Sequence, residues 1–598
     1  MRLSKIYAHD SKVFAPILFR HGLNVVLAEI RVPENKKKDT HNLGKTTLVR
    51  LIDFCLLAGR DASFFLFKHY NLFENFIFFL EIELLDGTFV TVRRRVVDAC
   101  KIRFKRHKDS KQDFSGLEDS GWDHIDVPFA RAKDLLDGLL DLRALKPWSF
   151  RKGLGYLLRS QSDFRDVFHL KKFASTHSDW KPYLAHILGF QAKKIVEYYN
   201  KEEKLVKKHG TEQTLKLELG GSLEDLSKVE GMLLLKQKEA EKKQILLDAF
   251  DFRSQDKEKT KQLVEEINEK IGRLNTERYY LTQNRKKIDT TLEEGQILFD
   301  PDEADRLFKE AGVLFKGQIK RDFKQLIDFN RAITEERKSY LLEERNEIEA
   351  DLKRINTELN ELGKRRSDTL SFLSGTDAFA KYKTLTEEII GLKADIVSLE
   401  KRREYLQRLQ ELRKEIRTIA DEKKKLQSLI EEDVETQNLT RDSLFSTIRL
   451  FFSEIIEEVI DRKALLTVSP NVEGHLEFKA EILDETGRAT SAAMGHSYQK
   501  LLCIAFDMAV ARAHANDRFP HFLVHDGVFE SLDPRKKENL LSVIRRYGEL
   551  GVQHVITLLD SEMPPQSDPK VPVFEDPEII LRLHDENEKG RLFKMQAW

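Results

Sequence analysis

The chain has 598 residues, and its 101 Lys and Arg residues equal its 101 Asp and Glu residues, so the formal net charge is zero. This balance excludes a protein that coats polyanions over its whole surface, so any nucleic-acid surface must be local. Charged residues make up 34% of the chain, above the usual quarter or so, while Gly and Pro are few, which is typical of long solvated helices.

The cysteines and the lack of long apolar runs indicate the compartment. Cys55, Cys100 and Cys503 lie far apart and form no C-x-x-C pair, which argues against a zinc site or a disulfide framework and fits a reducing compartment. Residues 1–6 lack the apolar core of a signal peptide, and no run reaches the roughly 18 apolar residues of a membrane span. We therefore expect a soluble cytoplasmic protein of several domains with no membrane partner.

A partial phosphate-binding loop follows the first apolar run. Residues 23–30 are predicted as a buried strand and residues 48–54 as a helix, and Leu-Gly-Lys-Thr-Thr stands before that helix at 43–47. In this context the backbone N–H groups of the loop and the helix N-terminus bind phosphates. The first glycine of the pattern G-x-x-x-x-G-K-[ST] is missing, because Asp39 stands there. A surface turn before a basic helix start is therefore the alternative.

If the loop binds phosphates, its residues have separate roles. Lys45 reaches the β and γ phosphates, and the Thr46 hydroxyl holds Mg²⁺. The candidate nucleotide-binding residues of this loop are Asn42, Gly44, Lys45, Thr46 and Thr47.

Mixed α/β structure is predicted for the rest of the first hundred residues. Residues 76–85 and 88–97 form a predicted hairpin, since Asp-Gly at 86–87 is a strong turn signal. The segment 101–126 is polar, basic at its start, and predicted as an exposed loop. The arginines at 93–95 and the basic residues of 101–108 are a DNA-binding hypothesis, with plain solvated surface as the alternative.

Helices are predicted over 128–190, with one distinctive piece. The run 156–161 is strand-like and ends in Gln161. A glutamine at a strand end can contact Mg²⁺ and the attacking water, so Gln161 is a candidate metal-binding and catalytic residue. An ordinary loop residue is the alternative.

A coiled coil is predicted over 191–440, where Glu, Lys, Arg, Leu and Ile dominate. Apolar residues, among them Ile271, Ile288 and Ile348, follow one another in steps of three, four or seven, which is the spacing of a coiled-coil seam. We place the apex of an antiparallel hairpin near 296–325, with arms over 195–295 and 326–440. A compact helical domain is the alternative, although the charged faces leave little apolar surface for a globular core.

The C-terminal part is again globular in pattern. Its strand 521–526 is apolar and ends in Asp526. An ATP site of the P-loop type needs an acidic residue opposite the phosphate loop, and Asp526 can bind Mg²⁺ through water. The other predicted elements are helices over 444–460 and 495–513, strands over 465–469, 476–483 and 554–560, and a closing hairpin of 579–584 with 591–595.

A P-loop near residue 45, a long coiled coil and a strand-end aspartate together resemble the SMC, RecN and RecF group of ABC-type ATPases. The resemblance implies an α/β ABC-type P-loop NTPase head assembled from N- and C-terminal segments, residues 1–190 and 441–598. A long antiparallel α-helical coiled-coil hairpin, residues 191–440, is then inserted between them.

The resemblance also implies roles for individual residues. Gln161 matches the glutamine of the Q-loop in that group. Gly-His-Ser-Tyr-Gln-Lys at 495–500 stands where the signature motif should be, and Ser497 is the candidate for the γ-phosphate contact in trans. Ser-Leu-Asp at 531–533 matches the D-loop, so Asp533 is a further candidate nucleotide-binding residue.

Departures from the group concern hydrolysis. The group has a glutamate directly after the strand-end aspartate, where this chain has Gly527. Glu530 is the nearest carboxylate and the candidate for a displaced catalytic base, with a surface glutamate as the alternative. The switch histidine falls near Leu558, and His554 or His525 is the candidate replacement. The resemblance therefore supports ATP binding better than fast hydrolysis.

A closer resemblance is to bacterial SMC-like proteins of defence and mobile operons, including those called ABC-three-component systems. It rests on His-Asn-Leu-Gly-Lys-Thr-Thr at 41–47 and His-Asp-Gly-Val-Phe-Glu at 525–530. It implies a slow ATPase that uses ATP and Mg²⁺, forms a homodimer through ATP-bound heads, and acts on DNA or on a partner encoded nearby. The expected setting is DNA repair or anti-phage and anti-plasmid defence. The alternative is an ATP-binding scaffold with little or no turnover.

Overall fold

The structure is a computed structural model that describes residues 1–35, 43–170, 176–218, 226–249, 257–293, 317–371, 377–490, 495–566, 572–596 and 598. The chain divides into two units. The head unit comprises Met1–Lys201 and Glu422–Trp598, and the coil unit comprises Glu202–Asp421.

Strands of the head unit form three sheets. The strands are β1 Arg2–Ala8, β2 Ile17–Leu18, β3 Leu23–Glu29, β4 Ile77–Glu83, β5 Phe89–Arg95, β6 Lys101–His107, β7 His124–Pro128, β8 Leu158–Arg159, β9 Ala464–Pro470, β10 Leu476–Ile482, β11 Phe522–Asp526, β12 Gln553–Leu559 and β13 Ile579–His584. The sheet orders are β13-β3-β12-β11-β8, β2-β1-β4-β5-β6-β7 and β10-β9.

Helices lie in both units. Those of the head are Lys45–Cys55, Phe65–Lys68, Tyr70–Phe73, Phe129–Leu140, Phe150–Leu157, His177–Ile187, Leu444–Ile460, His496–Ala513 and Pro534–Glu549. Those that enter or form the coil unit are Ala192–Glu218, Leu226–Asp248, Lys257–Glu293, Gly317–Ser371 and Asp377–Leu439. Short 3₁₀ helices include Gln161–Arg165 and Asp560–Glu562.

The five-stranded sheet is parallel at every pairing and joins the two ends of the chain. Every residue of β11 is buried, as is typical of a strand in a parallel sheet that is covered on both faces. β3 from the N-terminal part lies between β12 and β13 from the C-terminal part. This arrangement brings the end of β11 to the same edge of the sheet as the loop that follows β3.

The predicted closing hairpin of 579–584 with 591–595 is wrong. β13 forms as a strand, but it pairs in parallel with β3, and residues 591–595 form no strand. Leu592 and Phe593 are instead buried in the core, where Phe593 packs among aromatic rings from the N-terminal part. Burial of these two apolar side chains is therefore favoured over pairing of residues 591–595 with 579–584.

The predicted exposed loop over 101–126 is also wrong at both ends, because residues 101–107 form β6 and residues 124–126 belong to β7. Ile102 and Phe104 are buried on the inner face of β6, while the basic residues of this strand are exposed or half-buried. Three of those basic side chains form ion pairs with aspartates, namely Arg103 with Asp119 and Asp126, Lys105 with Asp123, and Arg106 with Asp86. Most of the positive charge of this strand is therefore neutralised by these aspartates.

Arg94 has a structural place within the arginine run 93–95. Its side chain is buried and donates hydrogen bonds to the carbonyl oxygens of Ala58 at 2.9 Å and Ala99 at 3.1 Å. It also donates to the Phe54 carbonyl at 2.5 Å, near the C-terminus of helix Lys45–Cys55. A cation at that end satisfies free carbonyls and the helix dipole. Arg94 is therefore unavailable to DNA, and the hypothesis is wrong for this residue.

Helices of the coil unit pair in an antiparallel manner. The partner's residue number falls as the first number rises, as in the ion pairs Lys208–Glu415, Lys236–Asp395, Lys243–Glu388 and Arg345–Asp289. Predicted seam positions such as Ile271, Ile288 and Ile348 are buried. Of the predicted apex, residues 296–316 lie outside the described residues, and 317–325 belong to helix Gly317–Ser371.

The head-proximal ends of the coil helices belong to the head core. Tyr198 and Tyr199 of helix Ala192–Glu218 are buried there, as are Ile430 and Val434 of helix Asp377–Leu439. Among the residues that the structure describes, no helix is long and apolar enough to cross a membrane.

Candidate functional site

The phosphate loop ends in a glycine whose conformation and surroundings both exclude a side chain. Gly44 has φ 110°, in the left-handed region, and directly precedes helix Lys45–Cys55. A Cβ at this position would lie 2.5 Å from the Cβ of Leu592, whose backbone N–H donates to the Leu43 carbonyl at 3.0 Å. The C-terminal segment around Leu592 thus packs against the loop at Leu43 and Gly44. Residues 36–42, including Asn42 and Asp39, lie outside the described residues.

Thr46 and Asp526 meet although they are 480 positions apart. The Thr46 hydroxyl donates to Asp526 Oδ2 at 2.6 Å, and the Thr557 hydroxyl donates to Asp526 Oδ1 at 2.6 Å. Asp526 is fully buried at the end of β11, beside Thr557 in the pairing of β11 with β12. Both carboxylate oxygens are therefore held in fixed directions at the N-terminus of helix Lys45–Cys55.

These oxygens suit a magnesium ion. Mg²⁺ prefers carboxylate and hydroxyl oxygens, and it usually keeps waters and phosphate oxygens beside one or two protein ligands. In the described part of the chain, no group of three or more His, Cys, Asp or Glu side chains could hold a metal by itself. Thr46 and Asp526 therefore fit a Mg²⁺ that is shared with bound phosphates.

Lys45 is a partly buried cation that faces several carboxylates. Burial lowers the pKa of Lys45, and the negative charges of Glu562, Asp526, Glu530 and Asp560 oppose that shift in this order. The carboxylates of the 3₁₀ turn Asp560–Glu562 were not predicted as site residues. Their sequence signal is the change from apolar to acidic residues where β12 ends.

Gln161 and Glu530 flank the position of Gly527. Gly527 has φ +70°, and a Cβ there would lie 3.0 Å from Gln161 Nε2 and 3.2 Å from Glu530 Oε2. A larger side chain at 527 would therefore have to displace both groups. The structure thus brings both candidate catalytic side chains next to the residue that follows Asp526.

The run before Gln161 differs from its prediction. Tyr156 and Leu157 close helix Phe150–Leu157, and only Leu158–Arg159 form a strand, β8. Gln161 then begins the 3₁₀ helix Gln161–Arg165. The two-residue strand suffices to place Gln161 at the edge of the parallel sheet beside β11.

A buried ion pair lies beneath the Gln161 turn. Arg159 donates to Asp507 at 2.6 and 2.9 Å, and neither side chain is exposed. Its remaining donors reach the carbonyl oxygens of Asp163, Asp166 and Val167. Burial alone disfavours the charge, but Asp507 outweighs it and raises the pKa of Arg159 above its usual value. The pair fixes the segment after β8 to helix His496–Ala513.

Ser497 and Asp533 lie together but in a separate cluster. Ser497 Oγ donates to the Ser531 carbonyl at 2.7 Å, and Asp533 caps helix Pro534–Glu549 by accepting from the Arg535 N–H at 3.1 Å. Both line a pocket whose wall includes neither Lys45 nor Asp526. Their predicted contact in trans stays a prediction.

The histidines proposed as switch replacements are interior residues. Leu558 is buried in β12, and His525 is fully buried with Nε2 3.2 Å from Asp507 Oδ2. His554 is fully buried, and its two ring nitrogens have no hydrogen-bond partner among the described residues. Burial, and secondarily His525, lowers the pKa of His554 to about 3. Both histidines are packed inside the sheet layer rather than presented as polar groups on its surface.

His554 should make the fold sensitive to acid. The unfolded chain protonates this group below about pH 6.5, but the folded chain resists protonation down to about pH 3. Stability is therefore complete above this window and is lost as the pH falls through it. Replacing His554 by leucine is expected to reduce the loss between pH 7 and pH 5 by about 2 kcal/mol, measured by urea unfolding.

The matched control for that prediction is His124→Leu, at an exposed position. It should leave the pH dependence of the wild type unchanged. Equal loss of stability in wild type and His554→Leu between pH 7 and pH 5 would contradict the assignment.

The start of helix Lys45–Cys55 and the aspartate at the end of β11 thus lie together at one edge of the parallel sheet. A family model described as "Uncharacterised protein conserved in bacteria (DUF2326)" matches residues 455–597, which include β11 and β12. The chain is 20% identical over 543 residues to the Uncharacterized protein YydD of Bacillus subtilis (strain 168), covering 88% of this chain and 86% of that protein.

Solved structures with some similarity are Smc heads. One is the Smc head domain with a coiled coil and joint from Pyrococcus yayanosii, at 15% identity, with 93% of this chain and 92% of that chain covered and a TM-score of 0.35. Another is the Smc head domain with an extended coiled coil bound to the C-terminal domain of ScpA from Pyrococcus furiosus, at 12% identity, 94% and 90% coverage, and a TM-score of 0.35.

Proposed function

We propose that the chain is an SMC-like ATPase whose head binds and slowly hydrolyses ATP with Mg²⁺. The observation that carries this proposal is the 2.6 Å hydrogen bond from Thr46 to the buried Asp526. It joins the phosphate-binding end of helix Lys45–Cys55 to the strand end that supplies the acidic group of P-loop ATPases. Lys45 beside this pair is a partly buried cation, which suits a phosphate.

Each residue of the site has a defined task. Lys45 and the N–H groups at the start of helix Lys45–Cys55 neutralise and orient the phosphates. Thr46 and Asp526 hold Mg²⁺, which screens the phosphate charge when it is bound. Gln161 orients the attacking water, and Glu530 accepts its proton. Glu530 is the first carboxylate after Gly527 along the chain, and Gly527 stands where the ATPases that this chain resembles carry their base.

We further propose that two heads associate when ATP is bound. Ser497 and Asp533 of one copy then contact the nucleotide held by the other copy, because their pocket is open and separate from Lys45. ATP shifts the population of heads toward the closed dimer by binding that state more tightly. The coil unit couples this change to DNA or to a partner protein encoded nearby, in DNA repair or in anti-phage or anti-plasmid defence.

DNA contact by the N-terminal sheet needs the basic groups that remain after the internal pairings. Arg93 flanks the buried Arg94, and Lys101 is exposed at the start of β6, whereas Arg95 pairs with Asp98 at 3.6 Å. Phosphate contacts release counterions, so this binding would weaken steeply as salt rises.

An ATP-binding scaffold with little or no turnover is the second candidate. The observation that favours it is the ion pair between Glu530 and Lys500 at 2.9 Å, which engages the proposed base. Steady-state ATP hydrolysis by the full chain separates the two candidates. Turnover above background supports the ATPase, whereas tight ATP binding with no turnover supports the scaffold and overturns the ATPase.

A further inference from the structure

Lys500 is a buried cation in helix His496–Ala513 that has no role in the ATP hydrolysis proposed above. Its side chain is 1% exposed, whereas that of Glu530 is 40% exposed. The Lys500 ammonium donates to Glu530 Oε2 at 2.9 Å and to the Gly527 carbonyl at 3.0 Å. A buried ammonium is costly unless its donors are satisfied, so the turn 527–530 is shaped around this lysine.

The residue directly after Asp526 is Gly527, which has no side chain and so cannot supply a carboxylate at this position. Gly527 has φ +70°, a conformation that strains other residues, and a Cβ there would meet Glu530 Oε2 at 3.2 Å. The carboxylate of Glu530 thus occupies the space into which a side chain at 527 would extend. Glu530 reaches this place from three residues further along the chain, with a long side chain that has several rotamers.

A long, partly exposed glutamate needs an external group to hold it in one rotamer. Lys500 supplies that group, since it contacts the backbone of Gly527 and the carboxylate of Glu530 at once. Gln161 Nε2 borders the same space, at 3.0 Å from the Cβ position of Gly527. The direct hydrogen bond that holds the carboxylate is therefore the one from Lys500.

We infer that Lys500 is a positioning residue that holds the Glu530 carboxylate in the place left open by Gly527. The inference rests on the proposed function, in which Glu530 accepts the proton of the attacking water. Ser497 lies one turn before Lys500 on the same helix, so the placement of the base depends on the helix that carries the proposed contact in trans. Contact of Ser497 with the nucleotide of the second head then also affects the position of Glu530 in the head that carries Ser497.

The experiment measures kcat and KM for ATP with Mg²⁺ on the full chain. The variants are Lys500→Met, Glu530→Gln and the double variant, with Lys500→Arg as the conservative substitution. We expect Lys500→Met to lower kcat by about 10- to 100-fold, because misplacing a catalytic group by about 1 Å has an effect of this size. KM should stay within about twofold, and Lys500→Arg should restore part of kcat.

The double variant separates positioning from a general structural role. If Lys500 acts only through Glu530, Lys500→Met has no further effect once Glu530 is glutamine. A drop of the same size in both backgrounds overturns the inference, as does an unchanged kcat in Lys500→Met.

A second variant keeps the inference testable if Lys500→Met fails to fold. Glu530→Asp leaves the buried lysine in place and shortens a partly exposed side chain by one methylene, which moves the carboxylate away from Lys500. Turnover close to that of Glu530→Gln supports the inference, and wild-type turnover overturns it. Absence of turnover in the wild type itself overturns the proposed ATPase and this inference together.

Discussion

ATP turnover is expected to fall by at least about 100-fold when Asp526 is replaced by asparagine, with the fold retained. The amide keeps one oxygen acceptor for Thr46 or Thr557, and its NH₂ group can donate to the other hydroxyl, so the buried contacts of Asp526 are preserved. The negative charge that attracts Mg²⁺ is lost. The deficit should be largest at low Mg²⁺ concentration, since a weakened site needs more metal to fill.

The matched control is Asp442→Asn, which makes the same change at an exposed position of the head unit. It should hydrolyse ATP at the wild-type rate. Thermal unfolding of both variants near the wild-type temperature would confirm that charge, and not folding, is the variable. Wild-type turnover in Asp526→Asn would contradict the proposal that the Asp526 carboxylate binds Mg²⁺.

Unfolding free energy is expected to fall by about 3–5 kcal/mol when Arg159 is replaced by methionine. Arg159 neutralises Asp507 inside the core, and both side chains are fully buried. Its guanidinium also satisfies the carbonyl oxygens of three residues after β8. Methionine fills a similar volume but leaves a buried carboxylate without its partner. Urea unfolding at neutral pH measures the loss.

An exposed arginine supplies the control for that loss. Arg143 pairs with Asp141, and its side chain is 71% exposed. Arg143→Met should therefore change stability by less than about 1 kcal/mol. Combining Arg159→Met with Asp507→Leu should recover part of the lost stability, because no buried charge remains unpaired. A loss below about 1 kcal/mol in Arg159→Met would contradict a buried, fully satisfied pair.

Much of the architecture could be predicted because local patterns and burial agree. The alternation of three and four residues predicts the seam positions Ile271, Ile288 and Ile348, which are buried in the coil unit. Continuous apolar runs predict β3 and β11, because strands covered on both faces need apolar side chains on both sides. Asp526 could be found for the same reason, since it stands where such a run ends.

Other parts depend on contacts between distant segments, which a single sequence does not specify. The register that places β13 beside β3 rather than beside residues 591–595 comes from burial of Phe593 among aromatic rings of the N-terminal part. Arg94 reads like its basic neighbours, yet it is buried against helix Lys45–Cys55. Lys500 carries no sequence signal of burial, yet it is buried and donates hydrogen bonds to the turn 527–530.

The histidines illustrate the same limit within the site. His525 and His554 are the residues that the sequence offers as replacements for a switch histidine. The structure buries both, and His525 contacts Asp507 of helix His496–Ala513. At the end of β12 the residues that face Lys45 are acidic instead, and Glu562 has the largest electrostatic influence on this lysine. Sequence spacing alone assigns a side chain to a strand, but not to a face or to a partner.

Steady-state ATP hydrolysis by the full chain with Mg²⁺ is the decisive measurement for the proposed ATPase, with Lys45→Ala and the exposed Lys12→Ala as the matched pair of variants. We expect turnover above background in wild type and Lys12→Ala, and a loss of at least about 100-fold in Lys45→Ala. Equal turnover in all three proteins would contradict this proposal, since the hydrolysis would then arise elsewhere than at the loop between β3 and helix Lys45–Cys55.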